Sequence, residues 1–252
     1  MKYKKNKMLF IIILILLILL ILILMLFKKK ELFSNTNNKL NNEYQITKIK
    51  KNIFKSEYPI FVNFYTGDNG YRKYSDKLIK SLKKFNLPYY IIEINSNGHK
   101  WTRICQQKPY ILLEVMNKYP NKNVVWIDAD AIIEKEPELF KNINKSLGVH
   151  YTGGNEFNSA VLFFKNNDIS RNIIDDWIRE NNKNSNSWDQ VTLGKVVKNK
   201  YKNQEYKLPK EYCSIFDRKD YQNIDRVISQ WQASRKLKFN NRIEKFNNYT
   251  PR

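Results

Sequence analysis

Lys108 to Ile133 reads KPYILLEVMNKYPNKNVVWIDADAII, and the fold is decided there. The first half has helical composition opened by a proline, Pro120-Asn121 turns the chain, and Val124-Val125-Trp126-Ile127 is a buried strand. The strand stops at two acids, Asp128 and Asp130. Alternate residues of an extended chain share a face, so both carboxylates point one way. Acids ending an apolar strand are costly to bury unless they face a cleft and hold a cation. Hard oxygen ligands suit magnesium or manganese, with water and phosphate oxygens completing the shell. The expectation is a divalent metal, Mn2+ or Mg2+, carrying a diphosphate; the rival reading is a solvated turn.

Upstream, Pro59-Ile60-Phe61-Val62-Asn63-Phe64-Tyr65 is dense in β-formers and closes at Thr66-Gly67-Asp68-Asn69-Gly70. Tyr71 to Phe85 sets Tyr74, Leu78, Leu82 and Phe85 at helical spacing. Leu87-Pro88 breaks that helix, Tyr89 to Ile94 is a second strand, and the loop Asn95 to Lys100 leads to a helix ending near Tyr119. This β-α-β-α-β order predicts an α/β fold of Rossmann type, a mostly parallel central sheet flanked by helices. Ligands of such sheets sit beyond the carboxyl ends of the strands. Thr66 and Asp128-Ala129-Asp130 both lie at such ends.

Downstream, Leu147 to Tyr151 and Ser159 to Phe164 read as strands around the turn Gly153-Gly154-Asn155. Asp168 is the expected N-cap of a helix to about Glu180. Trp188 to Val197 reads as another helix, and short strands follow, among them Tyr212 to Phe216 and Val227 to Ser229.

Before the domain, Met8 to Phe27 is apolar throughout and long enough to cross a bilayer. It ends in Phe27-Lys28-Lys29-Lys30 rather than at small residues, which favours an uncleaved transmembrane anchor over a signal peptide. Lysines flank both ends, so the positive-inside rule barely discriminates orientation. The expected organisation is a short basic tail (1–7), the anchor (8–27), a stem (28–58), the folded domain (59–235) and a basic C-terminal tail (236–252). Within the stem, the stretch around Ile46 to Phe54 reads as a short helix.

The formal charge of +21 comes mostly from Lys in a chain equally crowded with Asn and Ile, a bias of AT-rich coding sequence. No cluster interleaves Arg with aromatics, so nucleic acid is not the expected partner. Cys105 and Cys213 have no metal-ligand spacing and read as two buried thiols or one disulfide.

Several segments together resemble the nucleotide-diphospho-sugar glycosyltransferases of the GT-A fold. They are Trp101-x-x-x-Cys105-x-x-Lys108-Pro109, the helix up to Tyr119-Pro120, Trp126-Ile127-Asp128-Ala129-Asp130-Ala131-Ile132-Ile133 and Pro137-x-Leu139-Phe140. Asn158-Ser159-Ala160-Val161-Leu162-Phe163-Phe164 and Trp188-Asp189-Gln190-x-x-Leu193 continue the likeness, which spans about Pro59 to Arg235. It implies a metal-dependent transferase moving a sugar from a nucleotide-diphosphate-sugar donor to a hydroxyl of a glycan, protein or lipid acceptor. With the anchor and stem it implies a single-pass, type II membrane protein with a lumenal, Golgi- or ER-like domain. There the sequon Asn144-Lys145-Ser146 would matter; Pro251 weakens the second, Asn248-Tyr249-Thr250.

By the same resemblance, Asp130 binds the metal directly, and Asp128 contacts the ribose and the metal or its water. Tyr65 and Thr66 hold the base and ribose, and Lys108 faces the nucleotide or phosphates. Asn158 and Ser159 line the donor-sugar and acceptor side, and Asp189 and Gln190 lie at the reacting sugar. Each has a plainer rival: Lys108 as a polar helix start, Asp189 as an acid on the helix dipole, Asn158 and Ser159 as satisfied sheet residues, Tyr65 as cover for the sheet edge. Trp101, Trp126 and Trp177 read as core.

One departure stands out. Many GT-A enzymes complete the metal site with a late His; this chain has only His99, in a loop, and His150, which reads as a satisfied strand residue. Gln230-Trp231-Gln232-Ala233-Ser234-Arg235 stands at the expected place. A Gln carbonyl is one candidate ligand there, and Arg235 reads either as a diphosphate clamp or as the start of the tail. A general base, needed for inversion, points to Asp189 or Glu156. The rivals are a catalytically inactive binding protein of the same fold and a haloacid-dehalogenase-like phosphatase, which needs a second acidic pair at a strand end.

Overall fold

The computed structural model describes residues 11–24, 44–67 and 70–233, in two compact units, Met1–Asn42 and Glu43–Arg252. In the first unit, residues 11–24 form helix α1, with every side chain exposed. Among the described residues no helix is long and apolar enough to cross a membrane. The expected span, Met8 to Phe27, runs at both ends into residues outside the described set.

The second unit is an α/β fold. In chain order its elements are β1 (Ile46–Asn52), β2 (Ile60–Thr66), α2 (Arg72–Lys84), β3 (Tyr89–Ile94), α3 (Trp101–Cys105), α4 (Lys108–Lys118) and β4 (Val124–Ile127). There follow β5 (Ala131–Ile133), α5 (Leu139–Asn142), β6 (Leu147–Thr152), β7 (Glu156–Phe164), α6 (Asp168–Lys183), α7 (Asp189–Val196), β8 (Glu205–Lys207), β9 (Ser214–Ile215) and β10 (Ile228–Gln230). The main sheet runs β1-β3-β2-β4-β7-β6-β8, and β5, β10 and β9 make a small second sheet.

The centre of the main sheet is as the sequence predicts: β3, β2 and β4 are parallel, crossed over by the helices between them, and wholly buried. The expectation of a mostly parallel sheet is corrected beyond them. β1 pairs antiparallel with β3, β7 pairs antiparallel with β4 and with β6, and only β8 adds a parallel partner, so the sheet is mixed. The β6–β7 pair has a local cause in the connection between those two strands. Gly153 and Gly154 both take positive φ, a conformation that only glycine adopts without strain and that closes a hairpin. A hairpin joins antiparallel strands only.

A second correction concerns the stem. Ile46–Asn52 is the edge strand β1 rather than a short helix, and Tyr44 is already buried. A lysine-rich edge strand and a polar linker look alike in sequence, since such lysines blunt an exposed edge. Pairing along β3 distinguishes them. At α6, Asn167 rather than Asp168 is the N-cap, accepting the Ser170 N–H (2.9 Å), and Asp168 faces the dipole from the first turn.

Gly148 lies opposite Phe163 in the β6–β7 pair, and a Cβ there would sit 2.9 Å from the Phe163 Cβ. Gly148→Ala forces the two strands apart, so the expected loss is about 1–3 kcal/mol, read from the urea midpoint at unchanged m.

His150 is satisfied within the fold. Its Nδ1 faces the Leu208 carbonyl (3.0 Å) and its Nε2 the Tyr221 hydroxyl (2.6 Å). Burial holds the imidazole below its ordinary value of 6.5, against the smaller upward pull of the Leu208 carbonyl. The unfolded chain therefore binds this proton more readily. The neutral ring's contribution is fully present above about pH 6.5 and declines as pH falls toward the lower folded value. Melting temperature is expected to fall between pH 7.5 and 5.5, and more steeply than in His150→Gln.

Candidate active site

The site is built at the carboxyl end of β4. The Asp128 N–H donates to the Ala160 carbonyl of β7 (2.9 Å), and the Ala131 N–H folds back onto the Asp128 carbonyl (3.0 Å). This tight turn throws the chain from the main sheet into the small one, with Asp128 and Asp130 on it. The Trp126 indole N–H donates to Asp128 Oδ1 (2.8 Å).

Lys108, at the start of α4, is the centre of the charge network. Its buried ammonium lies 3.1 Å from Asp128 Oδ1 and 3.0 Å from Asp189 Oδ2, with the Ser159 hydroxyl at 3.3 Å and the Trp126 ring beneath it. Burial alone would lower this ammonium, but the two carboxylates outweigh it and hold it firmly protonated. Burial also raises the Asp128 carboxyl, against the opposing pull of Lys108 and Trp126.

Asp189 opens α7 and is buried; its carboxylate also accepts the Ser159 hydroxyl (3.0 Å). Trp177, fully buried in α6, fixes the backbone there by donating to the Asp189 carbonyl (3.0 Å). Trp177→Phe keeps the apolar contact but removes that bond, leaving the carbonyl to the Thr192 hydroxyl (2.9 Å), at an expected cost of about 1 kcal/mol, measured by chemical denaturation.

Asp130 is buried and ties down the last described segment. Its carboxylate accepts the Ala233 N–H and its carbonyl the Trp231 N–H (3.2 Å). This places Gln230, opposite Ala131 in the β10–β5 pair, at the cleft wall. Gln230 is 1% exposed, and neither its Nε2 nor its Oε1 has a partner. Thr66 Oγ1 and Asn63 Oδ1, on the same cleft, are also buried without partners. Such groups cost about 1–3 kcal/mol each unless a ligand or water satisfies them.

The remaining expected residues divide. Thr66, Lys108, Asp128, Asp130, Asn158, Ser159, Asp189 and Gln190 all line this cleft. Tyr65 lines it too, but its ring belongs to the core and its hydroxyl donates to Glu93 (2.5 Å), which also takes Arg72. Asn158 is locked within the hairpin, donating to Thr152 Oγ1 (3.0 Å) and accepting the Ala160 N–H (2.8 Å). Gln190 donates to Glu156 (3.3 Å) at the mouth. Arg235 lies outside the described residues.

Trp126 and Trp177 are core as expected, whereas Trp101 is half-buried and stacks on Tyr71 (5.1 Å) in the cleft wall. Trp188, part of the family motif but given no role, and Arg218, which the sequence did not single out, also line the cleft. A half-exposed aromatic has no periodic signature distinguishing it from a core one. Cys105 and Cys213 are both free thiols. Asp175 and Asp176 sit within α6, and Asp176 is paired with Arg179 and Lys200. They do not form the second strand-end acidic pair a phosphatase of the dehalogenase type needs.

Fold and cleft define the class. The structure matches that of a glycosyltransferase involved in the glycosylation of the major capsid of PBCV-1, with a TM-score of 0.58 over 76% of this chain and 100% of that one, at 13% identity. The fold is that of the GT-A glycosyltransferases. Residues 93–241 match the nucleotide-diphospho-sugar transferase family, and the chain belongs to it. Weaker likenesses are to the glycosyltransferase GlyE of Streptococcus pneumoniae TIGR4 (TM-score 0.48, 16% identity, 69% of this chain and 54% of that one) and to the galactosyltransferase LgtC (TM-score 0.46, 10% identity, 76% and 97%). No curated protein matches this sequence.

Proposed function

We propose that the enzyme transfers a hexosyl group from a nucleotide-diphosphate sugar to an acceptor hydroxyl, dependent on Mn2+ or Mg2+. The observation that carries the metal dependence is Gln230. Among the described residues no three His, Cys, Asp or Glu side chains converge on a metal position. The buried amide of Gln230 without partners, beside the strand that follows Asp130, would supply a neutral oxygen there. Asp128, Asp130 and Gln230 would together offer an all-oxygen donor set to a hard divalent ion that keeps waters and phosphate oxygens in its shell. The chemistry such an ion brings is neutralisation of the charge gathering on the departing diphosphate.

The chain's own groups do the rest. Thr66 takes the nucleoside at the end of β2, the Tyr65 hydroxyl being committed to Glu93, and Arg235 clamps the diphosphate. Lys108 holds Asp128 and Asp189 in one frame, which fixes the donor end against the sugar end. Asn158, Ser159 and Gln190 face the sugar. Asp189, already paired with Lys108 and Ser159, is suited to positioning rather than to taking a proton; Glu156 is exposed and carries only the Gln190 amide. Residues 8–27 anchor the enzyme as a type II membrane protein whose domain is lumenal.

Titrating Mn2+ and Mg2+ against a panel of nucleotide sugars tests the reading. Metal-dependent turnover of at least one donor, abolished by chelation, is expected; no metal-dependent binding or hydrolysis of any donor would overturn it. Gln230→Leu separates function from stability. It removes the stranded amide, so the ligand-free protein should melt at an equal or higher temperature, while Mn2+–nucleotide affinity falls about tenfold.

A further inference from the structure

The Trp188 carbonyl accepts the Val191 N–H (3.0 Å) at the start of α7, but its indole is not spent on the core. Trp188 is the N-cap of α7, a position served by Ser, Thr, Asp or Asn, and its side chain makes no capping bond. Its indole is 50% exposed, which forgoes roughly 2 kcal/mol of burial for a side chain of this size. In the unit Glu43–Arg252 only Ile49, Ile169, Trp188 and Val191 are large hydrophobic residues left exposed among those described. Two of these four sit one helical turn apart on α7. The local geometry explains how the ring is held out: Asp189, the next residue, is drawn inward by Lys108 and Ser159, and its carbonyl is held by Trp177.

The surroundings identify the occupant. Trp188 is part of the cleft wall and is continuous with Asp189. Beside it Gln190 and Glu156 share one long, exposed hydrogen bond of 3.3 Å, readily exchanged for hydroxyl groups. The cation at this mouth is already taken up: Arg218 is hydrogen-bonded to Asp220, and Glu156 lies close enough to act on the same guanidinium. An exposed apolar plate, a rim of exchangeable donors and acceptors, and a cation already engaged by two acids rather than open to an anion together match a neutral sugar ring, which has a C–H face and a hydroxyl edge.

We infer that this mouth is the acceptor subsite, in which a neutral pyranose stacks on Trp188 while its hydroxyls bond Gln190 and Glu156. The inference rests on the glycosyl-transfer reading and names the acceptor class for it. An uncharged carbohydrate, rather than a lipid or a protein side chain alone, is the group that receives the transferred sugar.

The test uses the full chain, with wild type, W188A and W188F compared. Neutral disaccharides and aryl glycosides are titrated in two arms, intrinsic fluorescence and transfer from whichever donor the panel yields. A saturable fluorescence change in wild type, absent in W188A, is expected. In the transfer arm the acceptor KM should rise at least about tenfold in W188A with donor KM within about twofold, and W188F should recover most of the loss. An acceptor KM in W188A equal to wild type overturns the subsite while leaving donor chemistry standing. A Trp188 response to phospholipid vesicles and to none of the sugars also overturns it. Should no donor be turned over, the transfer reading fails, and the fluorescence arm still decides the subsite: a sugar response lost in W188A upholds it, and none in wild type sinks it.

Discussion

Asp130→Asn is expected to reduce metal-dependent donor turnover roughly a thousandfold with the fold intact. The substitution keeps the shape of the side chain and its ability to accept the Ala233 N–H, so the last described segment stays attached. What it removes is one of the two formal negative charges offered to a divalent ion at this turn. The loss should therefore appear in Mn2+ affinity and in turnover, with the melting temperature of the metal-free protein within a few degrees of wild type. Asp130→Ala is predicted to lose the same activity and, in addition, about 1 kcal/mol from the stranded Ala233 N–H. Wild-type-like turnover in either variant refutes the assigned role.

Removal of the Lys108 ammonium should be the most damaging single change to stability. Lys108→Met leaves Asp128 and Asp189 facing each other without the cation that bridges them. Breaking one side of a buried ionic cluster typically costs about 3–5 kcal/mol, because the surviving charges stay desolvated. Urea denaturation should register a loss in that range. The double variant Lys108→Met/Asp189→Asn should recover part of it, since one stranded charge is then gone. A single variant within about 1 kcal/mol of wild type would show that Lys108 does not bridge the pair. The arrangement also refines the role implied by resemblance. Lys108 is held by two acids of its own chain, so it acts on a donor chiefly through the position it gives Asp128 and Asp189.

The likeness of the chain to its family is concentrated where local pattern is strongest. The apolar run Val124 to Ile127 and the acids after it are legible because a buried strand and its terminus are encoded by adjacent residues. So are β2, α2 and β3, whose periodicities are complete within single segments. The parallel centre follows from those alone, since strands separated by helices have few other ways to pair. The edge β1 was not legible, because a solvated lysine-rich strand has the composition of a linker and only its pairing with β3 marks it.

By itself, then, the sequence determined the class of fold, the strand-end acids and the cleft they face, all properties of contiguous segments. Tertiary structure alone decided the mixed sheet, the bridge from Lys108 to Asp189, the stranded amide of Gln230 beside Asp130 and the outward indole of Trp188. Each of these joins groups from distant parts of the chain. Their chemistry depends on burial and on the partner across the contact, and neither is written in the residues on either side.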